Sequence, residues 1–246
     1  SALGDPVEVL LTEVLLHILA QGGISALARL NGMYAFSFFD SKTGEMVLAR
    51  DPLGIKPLYY FVDDRGIFFG SEIRTLLAVK RGRPSLRREL LGRYLMNGWV
   101  PDPDTLFEGI ARVTPGHYLT VRRNGQVEEH RFWNLSSQPE KGVPYEEWEN
   151  RLAGTLDRAL NRQMRSDVPL GFFLSGGVDS SLLTARAAQM HPQKPEAFSV
   201  GFQWKASQSP GGDLRASRVI GGRFPINRHE ILLAPRVVDL LPKVVD

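Results

Sequence analysis

The pattern of hydrophobic and polar residues in the first half of the chain predicts a helix followed by short antiparallel strands. A strand-like stretch at 7–11 runs without a turn into helix-like spacing over 12–19. Because a strand and a helix need connecting residues, we expect residues to be missing between Leu11 and Thr12. Strand-like stretches separated by turn residues follow at 31–40, 45–50, 56–62 and 67–70. They predict an antiparallel meander.

The chain after the meander predicts helices, a hairpin and a domain boundary. Helix-like spacing covers 72–79 and 86–97, ahead of a loop rich in Pro and Asp. The hairpin pairs 117–121 with 127–133 about Asn124-Gly125, a dipeptide that favours tight hairpin turns. A polar stretch with Pro and Gly at 135–143 marks a boundary between two domains, which we place at 1–138 and 139–246.

Strands and helices alternate in the second half, which predicts a parallel α/β sheet. An amphipathic helix over 145–159 comes first. The predicted strands and helices that follow are, in chain order, strand 169–174, helix 179–190, strand 197–202, helix 213–220, strand 229–233 and a helix from 235 onward. The first of these strands carries no charge, as expected of a strand buried on both faces. Ligands of such sheets bind beyond the carboxyl ends of the strands, where the loop at Ser175 and the segment 199–202 lie.

Composition and charge limit the class of protein. With 246 residues and 43% hydrophobic content the chain can form one or two globular domains, and no apolar stretch approaches the ~20 residues that span a bilayer. The net charge of +3 is small and the arginines are scattered among acidic residues, which argues against a nucleic-acid-binding stripe. We expect a soluble, cytoplasmic protein with neither nucleic acid nor membrane as a partner. The absence of cysteine excludes disulfides, thiolate metal sites and a Cys nucleophile from these residues.

The candidate chemistry lies in the stretch Leu174-Ser175-Gly176-Gly177-Val178-Asp179-Ser180-Ser181, between a predicted strand and a predicted helix. Two glycines let the backbone approach an anion, and the first N–H groups of the helix have no partner within it. Serine hydroxyls add donors, so the stretch predicts a phosphate-binding loop. A carboxylate repels phosphate, so Asp179 makes sense as a helix cap or as an oxygen ligand of a bridging Mg²⁺. The alternative is an ordinary turn with Asp179 as its cap.

The loop lacks the Lys that follows the glycines in kinase-like nucleotide-binding loops. It resembles instead the S-G-G-x-D-S loop of the ATP pyrophosphatases, which split ATP between its α and β phosphates. Asparagine synthetase, GMP synthetase, argininosuccinate synthetase and tRNA-modifying enzymes share that loop. The loop alone does not choose among them.

Two longer stretches narrow the choice. They are Arg50-Asp51-Pro52-Leu53-Gly54-Ile55-Lys56-Pro57-Leu58-Tyr59-Tyr60 with Ser71-Glu72-Ile73, and Ser166-Asp167-Val168-Pro169-Leu170-Gly171 ahead of the loop. Together they resemble the glutamine-hydrolysing asparagine synthetases over nearly the whole chain. The resemblance implies an α+β Ntn-hydrolase-like sandwich, the class II glutamine amidotransferase domain, over 1–138. A Rossmann-like α/β ATP-pyrophosphatase domain, of the adenine nucleotide alpha hydrolase-like kind, would occupy 139–246.

The resemblance also implies site residues and a reaction. ATP contacts would fall on Leu174, Val200 and Gly201, with Ser175, Gly176, Gly177, Val178 and Ser180 around the pyrophosphate and Asp179 toward Mg²⁺. Ordinary strand core is an equal alternative for Leu174 and Val200. The implied reaction makes asparagine from aspartate, ATP and glutamine through β-aspartyl-AMP, releasing AMP and pyrophosphate. The partners are then those small molecules, with a homodimer left open.

Four polar residues outside the loop are expected to be structural. We predict that Arg50 and Asp51 form an ion pair or a turn, and that His117 and His229 are strand residues. The sequence shows no metal-ligand cluster.

Departures from the family pattern concern the glutaminase site and the chain ends. The family nucleophile is an N-terminal Cys, whereas position 1 is Ser; the Gly-Glu-Ile-Tyr-Asn segment of the oxyanion hole is absent, and Leu11 stands in place of a glutamine-binding Asp. The chain ends at Asp246, so we expect both domains to be incomplete parts of a larger enzyme. Two alternatives stay open: an amide-forming enzyme of the β-lactam synthetase or lasso-peptide cyclase kind, and an ATP-binding pseudo-enzyme.

Overall fold

The computed structural model describes residues 11–82, 84–166, 168–191, 193–202 and 212–234. The chain divides into two compact units, 1–138 and 139–246. The helix expected from 235 onward lies outside the described residues, and so does 7–10 of the first expected strand. Leu11 itself begins a helix, so it does not belong to that strand.

The first unit combines short helices with antiparallel strands. Its helices are α1 (Leu11–Gly22), α2 (Ile73–Val79) and α3 (Leu91–Asn97). Its strands are β1 (Ala35–Asp40), β2 (Glu45–Arg50), β3 (Tyr59–Asp63), β4 (Gly66–Gly70), β5 (Ala111–Arg112), β6 (His117–Val121) and β7 (Val127–Arg131). The predicted hairpin about Asn124-Gly125 is confirmed as β6 and β7.

Several predicted boundaries in this unit differ from the structure. The helix expected over 86–97 is a 3-10 turn at Arg88–Leu90 followed by α3. The third predicted strand begins at Tyr59 rather than at 56, because Pro57 has no N–H to donate to a sheet. A 3-10 helix at Ile24–Arg29 and the two-residue strand β5 have no counterpart in the prediction, since such short elements carry little periodicity.

The expected single meander is wrong, because the strands of the first unit form two sheets. One sheet has the order β1-β2-β6-β7 and the other has the order β4-β3-β5. The consecutive strands β2 and β3 therefore lie in different sheets. Their connection is a broad loop in place of a tight turn, because the Asp51 carboxylate accepts N–H groups from Leu53, Ile55 and Lys56.

Alternating side chains of β2 contribute to a core on each face of its sheet. Leu48 packs with Leu58 and Val113, which flank the strands of the second sheet, so the two sheets share this core. Val47 packs on the other face with Leu19 of α1. A third core joins β3 to α2. The first unit is thus layered as helix, sheet, sheet and helix.

The second unit alternates helices with parallel strands. Its helices are α4 (Tyr145–Gln163), α5 (Val178–Met190) and α6 (Gly212–Arg223), and its strands are β8 (Gly171–Phe173), β9 (Glu196–Phe202) and β10 (Asn227–Leu233). The strand order is β10-β9-β8 and both pairings are parallel, which confirms the predicted parallel sheet.

One face of this sheet is packed against helices. Ala197, Ser199 and Gly201 of β9 are buried on that face. A Cβ added to Gly201 would lie 2.3 Å from a methyl carbon of Leu214, so α6 packs directly on the strand backbone there. α5 contacts both β8 and α6 on this side.

The expectation that the strand before Ser175 is buried on both faces is wrong. β8 has three residues and lies at the edge of the sheet formed by the described strands. Phe173 is 84% exposed, and Phe198 and Val200 on the same face are 38% and 37% exposed. An uncharged sequence does not distinguish an edge strand covered on one face from a central strand covered on both, because burial depends on neighbours distant in sequence.

Candidate phosphate-binding site

The loop at Ser175 begins where β8 ends, and β9 anchors the residue that precedes it. The N–H of Leu174 donates to the carbonyl oxygen of Phe198 at 2.8 Å. The hydroxyl of Ser199 donates to the carbonyl oxygen of Leu174 at 2.7 Å. The loop therefore lies at the carboxyl end of a parallel strand, as expected from the sequence.

The two glycines of the loop have different backbone conformations. Gly176 has a φ of +83°, in the left-handed region that side chains rarely adopt. Gly177 has a φ of −68° and a ψ of 162°, which any residue can adopt. Gly176 is thus needed for the turn itself, whereas the backbone of Gly177 would accept a side chain, whose Cβ would lie 3.5 Å from Ser175 Oγ.

The start of α5 presents backbone donors to the loop. Gly177 is the N-cap of α5, and the first helical bond runs from the N–H of Ser181 to the carbonyl oxygen of Gly177 at 3.0 Å. The N–H groups of Val178, Asp179 and Ser180 precede that bond and so have no acceptor within the helix. Such a helix start binds phosphate well, because its N–H groups and the helix dipole both favour an anion.

Two serine hydroxyls meet on the loop. The Oγ atoms of Ser175 and Ser180 lie 3.0 Å apart, and the Ser180 hydroxyl also lies 3.2 Å from the carbonyl oxygen of Gly177. The N–H of Gly177 lies 3.4 Å from Ser175 Oγ. These contacts keep the loop closed on itself and leave both hydroxyls available to reorient toward a bound anion.

Asp179 is an exposed residue in the first turn of α5. The alternative in which it caps the helix is wrong, because Gly177 is the N-cap and Asp179 is the second helical residue. Within the described part of the chain no group of three or more His, Cys, Asp or Glu residues could hold a metal ion. A single carboxylate nevertheless suits Mg²⁺, which proteins often bind through one or two carboxylates together with substrate phosphates.

The other residues predicted to contact ATP lie around the loop in distinct environments. The side chain of Leu174 is fully buried, and Gly201 faces α6. Val200 lies on the opposite, open face of β9, beyond the last paired residue of β8. The structure therefore brings 174–180 together and places Val200 on the neighbouring strand. The ATP contacts of all these residues stay predictions.

The sequence pattern placed the segment 199–202 at a strand end but did not identify the buried hydroxyls of Ser199 and Thr184 as supports of the loop. Ser199 lies between Ala197 and Gly201 on the buried face of β9, where a polar residue among apolar ones signals a partnered hydroxyl. Thr184 of α5 is fully buried, and its hydroxyl donates to the carbonyl oxygen of Ser180 at 2.8 Å. The Ser199 hydroxyl therefore holds the loop at Leu174, and the Thr184 hydroxyl holds it at Ser180.

The structural roles expected for the other polar residues are largely confirmed. Asp51 holds the turn between β2 and β3, although the ion pair of Arg50 is with Asp102 at 3.4 Å. His117 and His229 lie on β6 and β10. Hydrogen bonds, first from Asn227 and then from His229, lower the pKa of Glu196 below its usual value.

Family comparisons match both units. The protein-family model of a glutamine amidotransferase domain matches residues 11–133, and the family model of asparagine synthase matches residues 151–246. Asparagine synthetase [glutamine-hydrolyzing] 1 of Bacillus subtilis (strain 168) is 31% identical over 235 residues, covering 95% of this chain and 36% of the relative. The chain belongs to the glutamine-hydrolysing asparagine synthetase family. The resemblance stated from the motifs is thereby confirmed.

Further relatives carry different names. Asparagine synthetase [glutamine-hydrolyzing] 3 of Bacillus subtilis is 36% identical over 178 residues, which is 72% of this chain and 29% of the relative. Amidase chry2 of Gibberella zeae is 33% identical over 186 residues, which is 74% of this chain and 27% of the relative. The chain spans about a third of the length of the curated relatives it matches. No helix in the described ranges is both long and apolar enough to cross a membrane.

Proposed function

We propose that the full-length protein of this asparagine synthetase family member makes asparagine from aspartate, ATP and glutamine. The first unit belongs to a glutamine amidotransferase that releases ammonia from glutamine, and its helix, sheet, sheet, helix layering supports an Ntn-hydrolase fold. The second unit belongs to a Rossmann-like ATP pyrophosphatase, a proposal supported by its parallel sheet and its loop.

The observation that carries this proposal is the loop between β8 and α5. It presents three helix-start N–H groups and two hydroxyls at the carboxyl end of a parallel strand, and no lysine follows its glycines. Such a pocket favours two linked phosphates over a single transferred γ-phosphate. The β and γ phosphates of ATP would lie there, leaving the α-phosphate open to attack.

The proposed chemistry has two steps. The aspartate side-chain carboxylate attacks the α-phosphorus, the bond from that phosphorus to the β-bridging oxygen breaks, and pyrophosphate leaves with the electron pair. Ammonia then attacks the acyl carbon of β-aspartyl-AMP, the bond from that carbon to the phosphate oxygen breaks, and AMP leaves with the electron pair while the nitrogen loses a proton. The N–H groups of Val178 to Ser180 stabilise the charge that develops on pyrophosphate, because they are already oriented before the reaction. Mg²⁺ beside Asp179 would supply further charge neutralisation when bound.

The identity of the nucleotide products tests the proposal. We expect the full-length protein, supplied with aspartate, glutamine and Mg-ATP, to yield AMP and pyrophosphate in equal amounts, measured by chromatography. Omission of aspartate is the control and should abolish AMP formation. ADP and orthophosphate as the main products would overturn the pyrophosphatase assignment.

One relative supports a second candidate for the acceptor carboxylate. Amidase chry2 shows that a similar sequence occurs in a protein that does not carry the synthetase name. An amide-forming reaction on another carboxylate, as in the β-lactam synthetases, is therefore the second candidate. AMP formation without asparagine, measured by amino-acid chromatography of the same reaction, would favour that candidate.

A further inference from the structure

Ser199 lies in a buried position one strand away from the phosphate-binding loop. Its side chain is on the helix-covered face of β9 and the residue is 2% exposed. Its hydroxyl donates to the carbonyl oxygen of Leu174 at 2.7 Å, a contact between residues 25 positions apart in sequence. The N–H of Leu174 is bonded to the neighbouring residue Phe198 at 2.8 Å. Both polar groups of the Leu174 backbone are therefore held by β9.

This double attachment matters because β8 is a short support for the loop. The strand has three residues and ends at Phe173, so Leu174 is the last residue that β9 holds before the chain turns. The loop then closes through local contacts between Ser175, Gly177 and Ser180. Where Leu174 sits thus determines where those contacts, and the first N–H groups of α5, are placed.

We propose that Ser199 is a positioning residue for the phosphate-binding loop, acting through the carbonyl group of Leu174. This inference rests on the proposed function for the loop as an ATP site. Without the Ser199 hydroxyl, the Leu174 carbonyl loses a buried donor and the loop can shift on the sheet. A shift of a binding group by a fraction of an ångström weakens a preorganised site without unfolding it.

The test compares Ser199→Ala with Ser217→Ala in the full-length protein. Ser217 is the matched control because it is also a fully buried serine of this unit, whose hydroxyl lies 2.9 Å from the carbonyl oxygen of Leu214 within α6. Two readouts are used: hydrogen exchange of the amides of Gly176 to Val178, and the Kd for Mg-ATP from calorimetry. We expect Ser199→Ala to speed loop exchange and to raise the Kd about tenfold, with Ser217→Ala unchanged in both.

A second pair of variants guards against a simple folding defect. Ser199→Thr and Ser199→Val have the same shape and differ by the hydroxyl, and both suit a strand. The threonine variant should retain slow loop exchange and the lower Kd of the two. The role of Ser199 would be overturned if Ser199→Ala matched Ser217→Ala, and Ser199→Thr matched Ser199→Val, in both loop exchange and Kd. This outcome counts only when the wild-type protein binds Mg-ATP. A wild-type protein that binds no Mg-ATP would instead overturn the proposed function, while faster loop exchange in Ser199→Ala would still support the attachment of the loop.

Discussion

At the scale of single residues, Gly176 and Gly177 have different roles. The turn requires glycine at 176, whereas the proposed phosphate site requires it at 177. The positive φ of Gly176 makes any side chain there strained, at a cost of roughly 1–2 kcal/mol. A Cβ on Gly177 would lie 3.5 Å from Ser175 Oγ, which is an ordinary contact. In the proposed site it would, however, occupy the space through which phosphate approaches the backbone.

We therefore predict opposite outcomes for two alanine variants of the full-length protein. Gly176→Ala should lower the stability of the second unit by roughly 1–2 kcal/mol, because alanine is strained at that φ. Gly177→Ala should leave stability within about 0.5 kcal/mol of wild type and yet weaken Mg-ATP binding. Urea unfolding and calorimetric titration measure the two effects. Wild-type affinity in Gly177→Ala would show that phosphate does not approach the loop at this glycine.

At the scale of elements, the loop from β2 to β3 is organised by two buried charged residues that are adjacent in sequence, Arg50 and Asp51. Asp51 is 1% exposed and accepts three backbone N–H groups of the loop. The guanidinium of Arg50 donates to the carbonyl oxygens of Lys56, Gly54 and Val113, the last of which follows β5 of the second sheet. This loop thereby leads the chain from β2 in one sheet to β3 in the other.

We predict that Asp51→Asn destabilises the first unit. The amide replaces one acceptor oxygen by a donor that faces a backbone N–H, so the unfolding free energy should fall by about 1–3 kcal/mol. Asp40→Asn is the control, because the side-chain carboxylate of Asp40 accepts a backbone N–H, that of Lys42, at an exposed turn. Urea unfolding followed by fluorescence of the first unit measures both variants. Equal losses in the two variants would contradict a special role for the loop.

Burial also affects a tyrosine beside this loop. Burial, and secondly the charge of Asp51, raises the pKa of Tyr34 to about 12. The backbone carbonyl of Tyr34 accepts the N–H of Asp51 at 2.9 Å, so β1 is tied to the start of the loop. The neutral phenol is thus the form compatible with the native packing of this region at ordinary pH.

At the scale of the whole molecule, the family chemistry requires a nucleophile that these residues do not contain. The resemblance implies an N-terminal Cys as the glutaminase nucleophile, and the 246 residues include no cysteine. We predict that a polypeptide of these residues alone releases no glutamate from glutamine, measured with a coupled glutamate assay. Heat-denatured protein gives the background. Release above it would mean that a hydroxyl, such as that of Ser1, acts as the nucleophile.

Sequence reasoning predicted features that depend on neighbours along the chain. The Asn124-Gly125 hairpin, the loop between β8 and α5 and the alternation of strands with helices in the second unit follow from turn chemistry and local periodicity. The same local signals revealed the family, because its motifs are short and continuous. These features were accessible because the side chains that specify them lie within a few residues of one another.

Tertiary structure alone decided which elements pair and which faces are covered. The pairing of β2 with β6, the pairing of β3 with β5, the exposure of Phe173 and the bond from Ser199 to Leu174 all depend on residues far apart in sequence. A periodic pattern gives the face of a strand but not its partner, because the partner is chosen by packing over the whole unit. For this protein the sequence therefore determined the family and the residues of the loop at 174–180, and the fold determined what holds that loop in place.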